Sequence, residues 1–373
     1  MYDTEQQKER AILIAISHDD SPADSNLDEL CLLVDTAGAV EVGRIMQKRE
    51  ARHPATYLGK GKIEEVRQLV EETSANIVIA DDELTASQQR NLATALNVKI
   101  LDRTMIILDI FAQRAKTAEG KTQVELAQLK YSLSHLSGLG VSLSRQAGSA
   151  AHGGVGNRGP GEKKLELDRR YIRSRIDQLN KELEKIRENR TTSRKRRVKQ
   201  AIPVVALVGY TNAGKSTLMN KLTGAGVLAE DKLFATLDTT TRKMYFPNIS
   251  DSSKIGKEIL LADTVGFINK LPHNLIQAFR ATLEELQYAD VLVHVVDSSA
   301  HNYKEQMTIV NDTLKALNCL DKPIITALNK VDISRLSEFS ELGENTHTTS
   351  IIQISALTGE GIQELLMTCA EFL

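Results

Sequence analysis

Short apolar runs alternate with amphipathic stretches along most of this chain. Ala11–Ile16, Glu41–Ile45, Asn76–Ala80 and Val98–Leu101 have the length and apolar content of strands, and Leu27–Val34, Ile63–Glu72 and Ser87–Leu96 carry apolar side chains at helical spacing. This alternation over residues 11–118 predicts a small α/β domain with a mainly parallel sheet. Four later runs, Val204–Val208, Ile259–Ala262, Ile324–Leu328 and Ile351–Ile354, are mostly apolar and read as strands, the first as a buried parallel strand. A final helix is expected over Gly361–Phe372.

Between these two regions the pattern is different. Residues 122–136 place Leu126, Leu129, Leu133 and Leu136 on one helical face, and residues 162–190 do the same with Leu165, Ile172, Ile176, Leu179, Leu183 and Ile186. The second set steps by seven and then alternately by four and three, a heptad seam. Two such helices bury their seams most simply as an antiparallel hairpin, or each seam packs separately on a domain core. Residues 138–161 are expected to be the loop at the tip. They hold eight glycines, Arg145, His152 and Arg158, and no acidic residue. Such a cationic segment suits an anionic surface such as structured RNA, or is a connector without a partner. The run from Arg187 to Lys199 has seven basic residues against Glu188 alone, and can neutralise phosphates or serve as a solvated linker. The chain thus divides into 1–120, an N-terminal α/β domain; 121–200, a helical hairpin with a glycine-rich tip; and 201–373, a second α/β domain.

Candidate chemistry concentrates in the last part. Gly209-Tyr210-Thr211-Asn212-Ala213-Gly214-Lys215-Ser216 stands between a predicted strand and a helix beginning at Thr217. That is G-x-x-x-x-G-K-[ST] in the strand–loop–helix setting of a phosphate-binding loop. The two glycines let successive N–H groups face phosphate oxygens, and the helix N-terminus adds its positive end. Lys215 can reach the β and γ phosphates, and Ser216 can hold magnesium. Asp263-Thr264-Val265-Gly266 ends the next strand. A carboxylate there can hold magnesium through water, and the Gly266 amide can bond a γ-phosphate oxygen. Asn329-Lys330-Val331-Asp332 ends a third strand. Guanine presents two adjacent N–H donors, which one carboxylate such as Asp332 can accept together. Adenine lacks that pair, so discrimination can reach ~10⁴. Ser355-Ala356-Leu357 follows the fourth strand. All four segments lie at carboxyl ends of strands, where α/β folds bind ligands.

Bulk properties narrow the partners rather than name them. A length of 373 residues fits two or three domains. The net charge of −2 means that any nucleic-acid binding must come from local patches, and no DNA partner is implied. Cys31, Cys319 and Cys369 lack metal-ligand spacing and read as reduced thiols. No apolar run approaches membrane-spanning length, and the first residues lack the pattern of a secretion signal. A cytoplasmic monomer is the expectation.

The ordered motifs resemble those of translation-factor-type and Ras-like GTPases, and the resemblance extends far upstream. Residues 56–62 (Thr-Tyr-Leu-Gly-Lys-Gly-Lys), 81–92 (Asp-Asp-Glu-Leu-Thr-Ala-Ser-Gln-Gln-Arg-Asn-Leu), Asp102-Arg103-Thr104 and 109–115 are similar to the N-terminal domain of the HflX GTPases. Arg158-Gly159-Pro160-Gly161-Glu162 with Asp168-Arg169-Arg170 resembles that family's linker. The similarity spans roughly residues 10–373. It implies GTP and GDP as substrate and product, magnesium as cofactor, and the large ribosomal subunit with its RNA as partner. The implied role is splitting or rescue of stalled ribosomes under stress. Two other readings stay open: a GTPase partner in RNA modification or ribosome assembly, and a regulatory switch that binds a protein. The segment 59–62 could bind an anion or simply cap the following helix.

The same resemblance, through the superfamily that includes Era and Obg, favours Thr236 in the segment Leu233-Phe234-Ala235-Thr236 as the magnesium-binding switch threonine, with Phe234 beside the nucleotide. Phe267 stands where many GTPases have a water-orienting Gln, so slow intrinsic turnover and activation by a partner are expected. Asn212 is a candidate for holding potassium. Two departures are expected to matter: an insertion at 149–152 in the glycine loop, and a chain that stops at Leu373 where many members continue into a further domain.

Overall fold

The computed structural model describes residues 8–17, 23–147, 160–199, 202–224, 233–235, 237, 240–245, 258–272, 275, 284–335 and 348–373. They form two compact units, one taking the residues up to Gln113 with Thr122–Glu182, the other Arg114–Lys121 with Leu183–Leu373.

The first unit is a four-stranded parallel sheet of order β2-β1-β3-β4, from β1 (Arg10–Ser17), β2 (Val40–Lys48), β3 (Ile77–Ala80) and β4 (Lys99–Asp102). Helices α1 (Ala23–Ala37), α2 (Lys60–Thr73) and α3 (Ala86–Leu96) supply the crossovers. Ile12, Ile14, Val66, Val78 and Leu92 fill one core face. The start of α3 follows from its sequence: Thr85 Oγ1 accepts from Gln88 N, and Gln88 Oε1 accepts from Thr85 N, a capping box. Helix α2 starts earlier than expected. Lys60, Gly61 and Lys62 are its first turn, not a loop ahead of it, and the N–H of Gly59 at the cap donates to Gln47 Oε1 at 2.8 Å. The apolar run after Asp102 had suggested no element. It is α4 (Arg103–Arg114), buried at Ile106, Ile107, Leu108, Ile110 and Phe111 and exposed on a narrow strip at Asp109, Ala112 and Gln113.

Two long helices follow, α5 (Ala118–Ala147) and α6 (Pro160–Lys199). Arg169 Nη2 donates to Leu136 O at 2.7 Å, and Arg175 forms a two-pronged ion pair with Glu125, at 2.7 and 3.0 Å. Advancing along α6 means retreating along α5, so the pair is antiparallel as the seams predict. Leu179 is fully buried, and Ile172, Ile176, Leu183 and Ile186 are half-buried. The predicted loop 138–161 needs correction. Residues 138–147 are helical, since Leu, Gln, Arg and Ala outweigh the cost of about 1 kcal/mol for each of Gly138 and Gly140. Pro160 opens α6, where a missing N–H costs nothing. The core of the glycine loop, 148–159, lies outside the described residues. The basic run 187–199 continues α6 rather than forming a separate linker, as the good helix propensity of Arg and Lys allows.

The second unit is a six-stranded sheet of order β10-β9-β8-β5-β7-β6. Its strands are β5 (Val204–Gly209), β6 (Thr240–Tyr245), β7 (Glu258–Asp263), β8 (Val291–Asp297), β9 (Ile324–Asn329) and β10 (Ser350–Gln353). All pairings are parallel except that of β6 with β7. The expected strands appear within a residue or two. The central strand β8 and the edge strand β6 had not been expected. Helices α7 (Lys215–Thr223), α8 (Tyr303–Ala316) and α9 (Ile362–Glu371) accompany the sheet. Val205, Leu207, Val293, Val295, Ile325 and Ala327 form its buried centre.

Candidate nucleotide site

The sheet brings the separated motifs together. β7 lies beside β5, with β9 one strand away from β5 on its other side, and their carboxyl ends deliver Gly209, Asp263 and Asn329 to one edge. Asn329 is the brace. Its Nδ2 donates to Ala213 O at 2.8 Å, and its Oδ1 accepts from Ala356 N at 2.9 Å. One buried amide thus ties the phosphate loop to Ser355-Ala356-Leu357. Gly214 has φ of +95°, and a Cβ there would stand 2.2 Å from Asn329 Nδ2. Only glycine fits this close approach.

Lys215 is buried and donates to Gly209 O at 3.1 Å and Tyr210 O at 2.6 Å. Burial away from water pushes its pKa down to about 8, partly offset by the Asp263 carboxylate. Ser216 Oγ donates to Asp263 Oδ2 at 2.8 Å, so hydroxyl and carboxylate face one point. Such hard oxygen donors suit magnesium. Thr264 Oγ1 donates to Leu207 O at 2.7 Å, and Val265 is buried. Thr211 Oγ1 is buried in the loop with no hydrogen-bond partner among the described residues, as suits a cradle that receives a polar ligand. Asn212 is exposed with φ of +61°, and Thr217 lies half-buried in the first turn of α7.

The segment Asn329–Asp332, the candidate for reading the base, is also held by contacts. Asp332 is exposed, and its Oδ1 accepts from Ser355 Oγ at 2.5 Å, which fixes the carboxylate. Lys330, with φ of +69°, pairs with Asp297 at 2.6 Å. Leu357 is exposed beside buried Ala356, and Lys221 Nζ donates to Thr358 O at 3.2 Å. Phe234 is buried with φ of +55°. Thr236 lies outside the described residues. Sequence reasoning missed Asp297 and Lys221. Asp297 follows Val291–Val296, an apolar run that ends in a carboxylate as Ile259–Ala262 does, and that signal could have found it. Lys221 carries no such signal. His294 was also missed: it is fully buried in β8, its Nδ1 has no partner among the described residues, and burial with the nearby Lys215 charge lowers its pKa to about 3.

Family comparison agrees with this arrangement. Residues 24–112 match the model "GTP-binding GTPase N-terminal", residues 114–197 "GTP-binding GTPase Middle Region", and residues 204–330 "50S ribosome-binding GTPase". The chain is 53% identical over 360 residues to "GTPase HflX" of Lacrimispora saccharolytica, covering 96% of this chain and 82% of that protein. It is 41% identical to "GTPase HflX" of Escherichia coli, covering 100% of this chain and 85% of that one. A solved structure, SsGBP in complex with GDP, shares the fold with a TM-score of 0.54 at 24% identity, over 97% of this chain and 98% of its own. Identity at this level over nearly the whole chain is decisive, and the chain belongs to the HflX family of GTPases.

Proposed function

We propose that this chain is a GTP-hydrolysing switch that acts on the large ribosomal subunit in the cytoplasm, as a monomer, in splitting or rescue of ribosomes. The observation that carries the nucleotide part is the Asn329 brace, which makes phosphate loop and base-reading loop one rigid receptor. The ribosomal part rests on the family description matched by residues 204–330.

In this reading the amides of Gly209–Thr217 hold the phosphates, with Lys215 against the β and γ groups. Ser216 and Asp263 would hold magnesium, joined by Thr236, and the ion would neutralise charge on the phosphates. Asp332 accepts the two guanine N–H donors, with Asn329, Lys330 and Ser355–Leu357 closing around the base. Gly266 offers its amide to the γ-phosphate. Water attacks in line, and the gain comes from positioning and charge neutralisation. Phe267 supplies no hydrogen bond to water, so intrinsic turnover is slow and a partner accelerates it. Asn212 is positioned in the loop to help hold potassium; equal rates in potassium and sodium chloride would remove that part. Residues 1–120 and the 121–200 hairpin form the RNA-facing part and 201–373 the motor.

The test is co-sedimentation with purified large subunits. The chain should pellet with them in a non-hydrolysable GTP analogue and less so without nucleotide. Deleting residues 140–159 should weaken pelleting and leave GTP affinity intact. Pelleting that ignores nucleotide would contradict the switch.

A further inference from the structure

The turn that begins at Lys330 is held from the neighbouring strand. Asp297 closes β8 and stands opposite Asn329, the last residue of β9. Its carboxylate is engaged in two directions. Oδ1 accepts from Ser299 N at 3.0 Å and from Ser299 Oγ at 2.5 Å, which orients the group. Oδ2 is left to face Lys330, whose Nζ lies 2.6 Å away. The two side chains are only 16% and 24% exposed, so the pair is weakly screened by water and salt.

Lys330 needs such a hold. Its φ of +69° lies in the left-handed region, which a residue with a Cβ occupies at a cost. Lys330 O accepts from Ile333 N at 2.9 Å and from Ser334 N at 3.1 Å, so this residue opens the turn that carries Asp332. Ser298 N donates to Asn329 O at 3.0 Å, so the segment after β8 also grips the residue before the turn. We propose that Asp297 is a positioning residue: through Lys330 it holds the turn that presents Asp332, and so sharpens the selection of guanine over adenine. The proposal rests on the GTP reading above, in which Asp297 itself touches no part of the nucleotide. An acceptor already in place saves ordering cost when guanine binds, whereas adenine offers Asp332 no donor pair and gains nothing from it.

Asp297→Asn isolates the contact. The amide oxygen still accepts from Ser299, but the NH₂ now faces the ammonium and cannot accept from it. Displacement of a fluorescent GDP from the full chain by non-hydrolysable GTP and ATP analogues reads both affinities at one site. The preference for the guanine analogue should fall by about 3–10-fold, with affinity for the adenine analogue unchanged. Lys330→Met should give a comparable fall, and adding Asp297→Asn to it should cost nothing further, because the pair is already gone. A general disturbance of the site would weaken the adenine analogue as well, and that result would overturn the assignment. So would an unchanged preference in Asp297→Asn, or losses that add in the double variant. A wild-type chain with no preference for the guanine analogue would instead sink the GTP reading itself.

Discussion

Asn329 Nδ2 lies 2.8 Å from the carbonyl oxygen of Ala213, across 116 residues of chain. The same amide accepts from Ala356 N, so one side chain ties together two loops, which in the proposed reading hold opposite ends of the nucleotide. Asn329→Ala should therefore weaken GTP and GDP alike, by about 5–100-fold, because the buried groups it serves lose their partner. Titration calorimetry measures this. A selective loss of one nucleotide would contradict it.

Gly214→Ala tests the same contact from the other side. An added methyl would meet Asn329 at 2.2 Å, in a backbone region that costs a side chain roughly 1–2 kcal/mol. Nucleotide binding should be lost in titrations, while circular dichroism keeps the α/β signature. Retained affinity would mean that the brace is dispensable.

Burial, with Lys215 nearby, holds His294 neutral down to about pH 3. The unfolded chain protonates near pH 6.5 and the folded chain does not. Stability is unaffected by this group above pH 6.5 and falls below it, by up to ~1.4 kcal/mol per pH unit towards pH 3. Urea unfolding across that range should show the loss, and His294→Val should flatten it. An acid limb identical in both proteins would refute the assignment.

Arg103 is buried beside Asp81 at 2.8 Å, and pairs also with Glu29. Arg103→Met would leave Asp81 as a buried charge without this cation, costing about 3–5 kcal/mol. The melting transition of the first unit should fall while GTP titration stays unchanged, because every residue proposed for the nucleotide site belongs to the second unit. Coupled loss of GTP binding would argue against that independence.

How much of this was legible beforehand depends on the signal each element carries. The phosphate loop, Asp263 and the Asn329–Asp332 segment could be read because each combines an apolar strand with a fixed polar pattern. Helix α4 could not, because its exposed strip of Asp109, Ala112 and Gln113 is narrow beside its buried apolar positions. The helical stretch 138–147 was read as loop because Gly138 and Gly140 outweighed its helix formers in the reading, though not in the fold. Tyr210 was read as one more loop residue. Its bond to the amide of Asn269 joins residues 59 apart, and no local pattern encodes such a contact.

The most direct measurement is titration of the full chain with GTP and with ATP under identical magnesium. Asp332, held by Ser355, should favour GTP by about 10⁴-fold, since adenine leaves that carboxylate without its donor pair. Comparable affinities for the two purines, or no binding of either, would contradict the account.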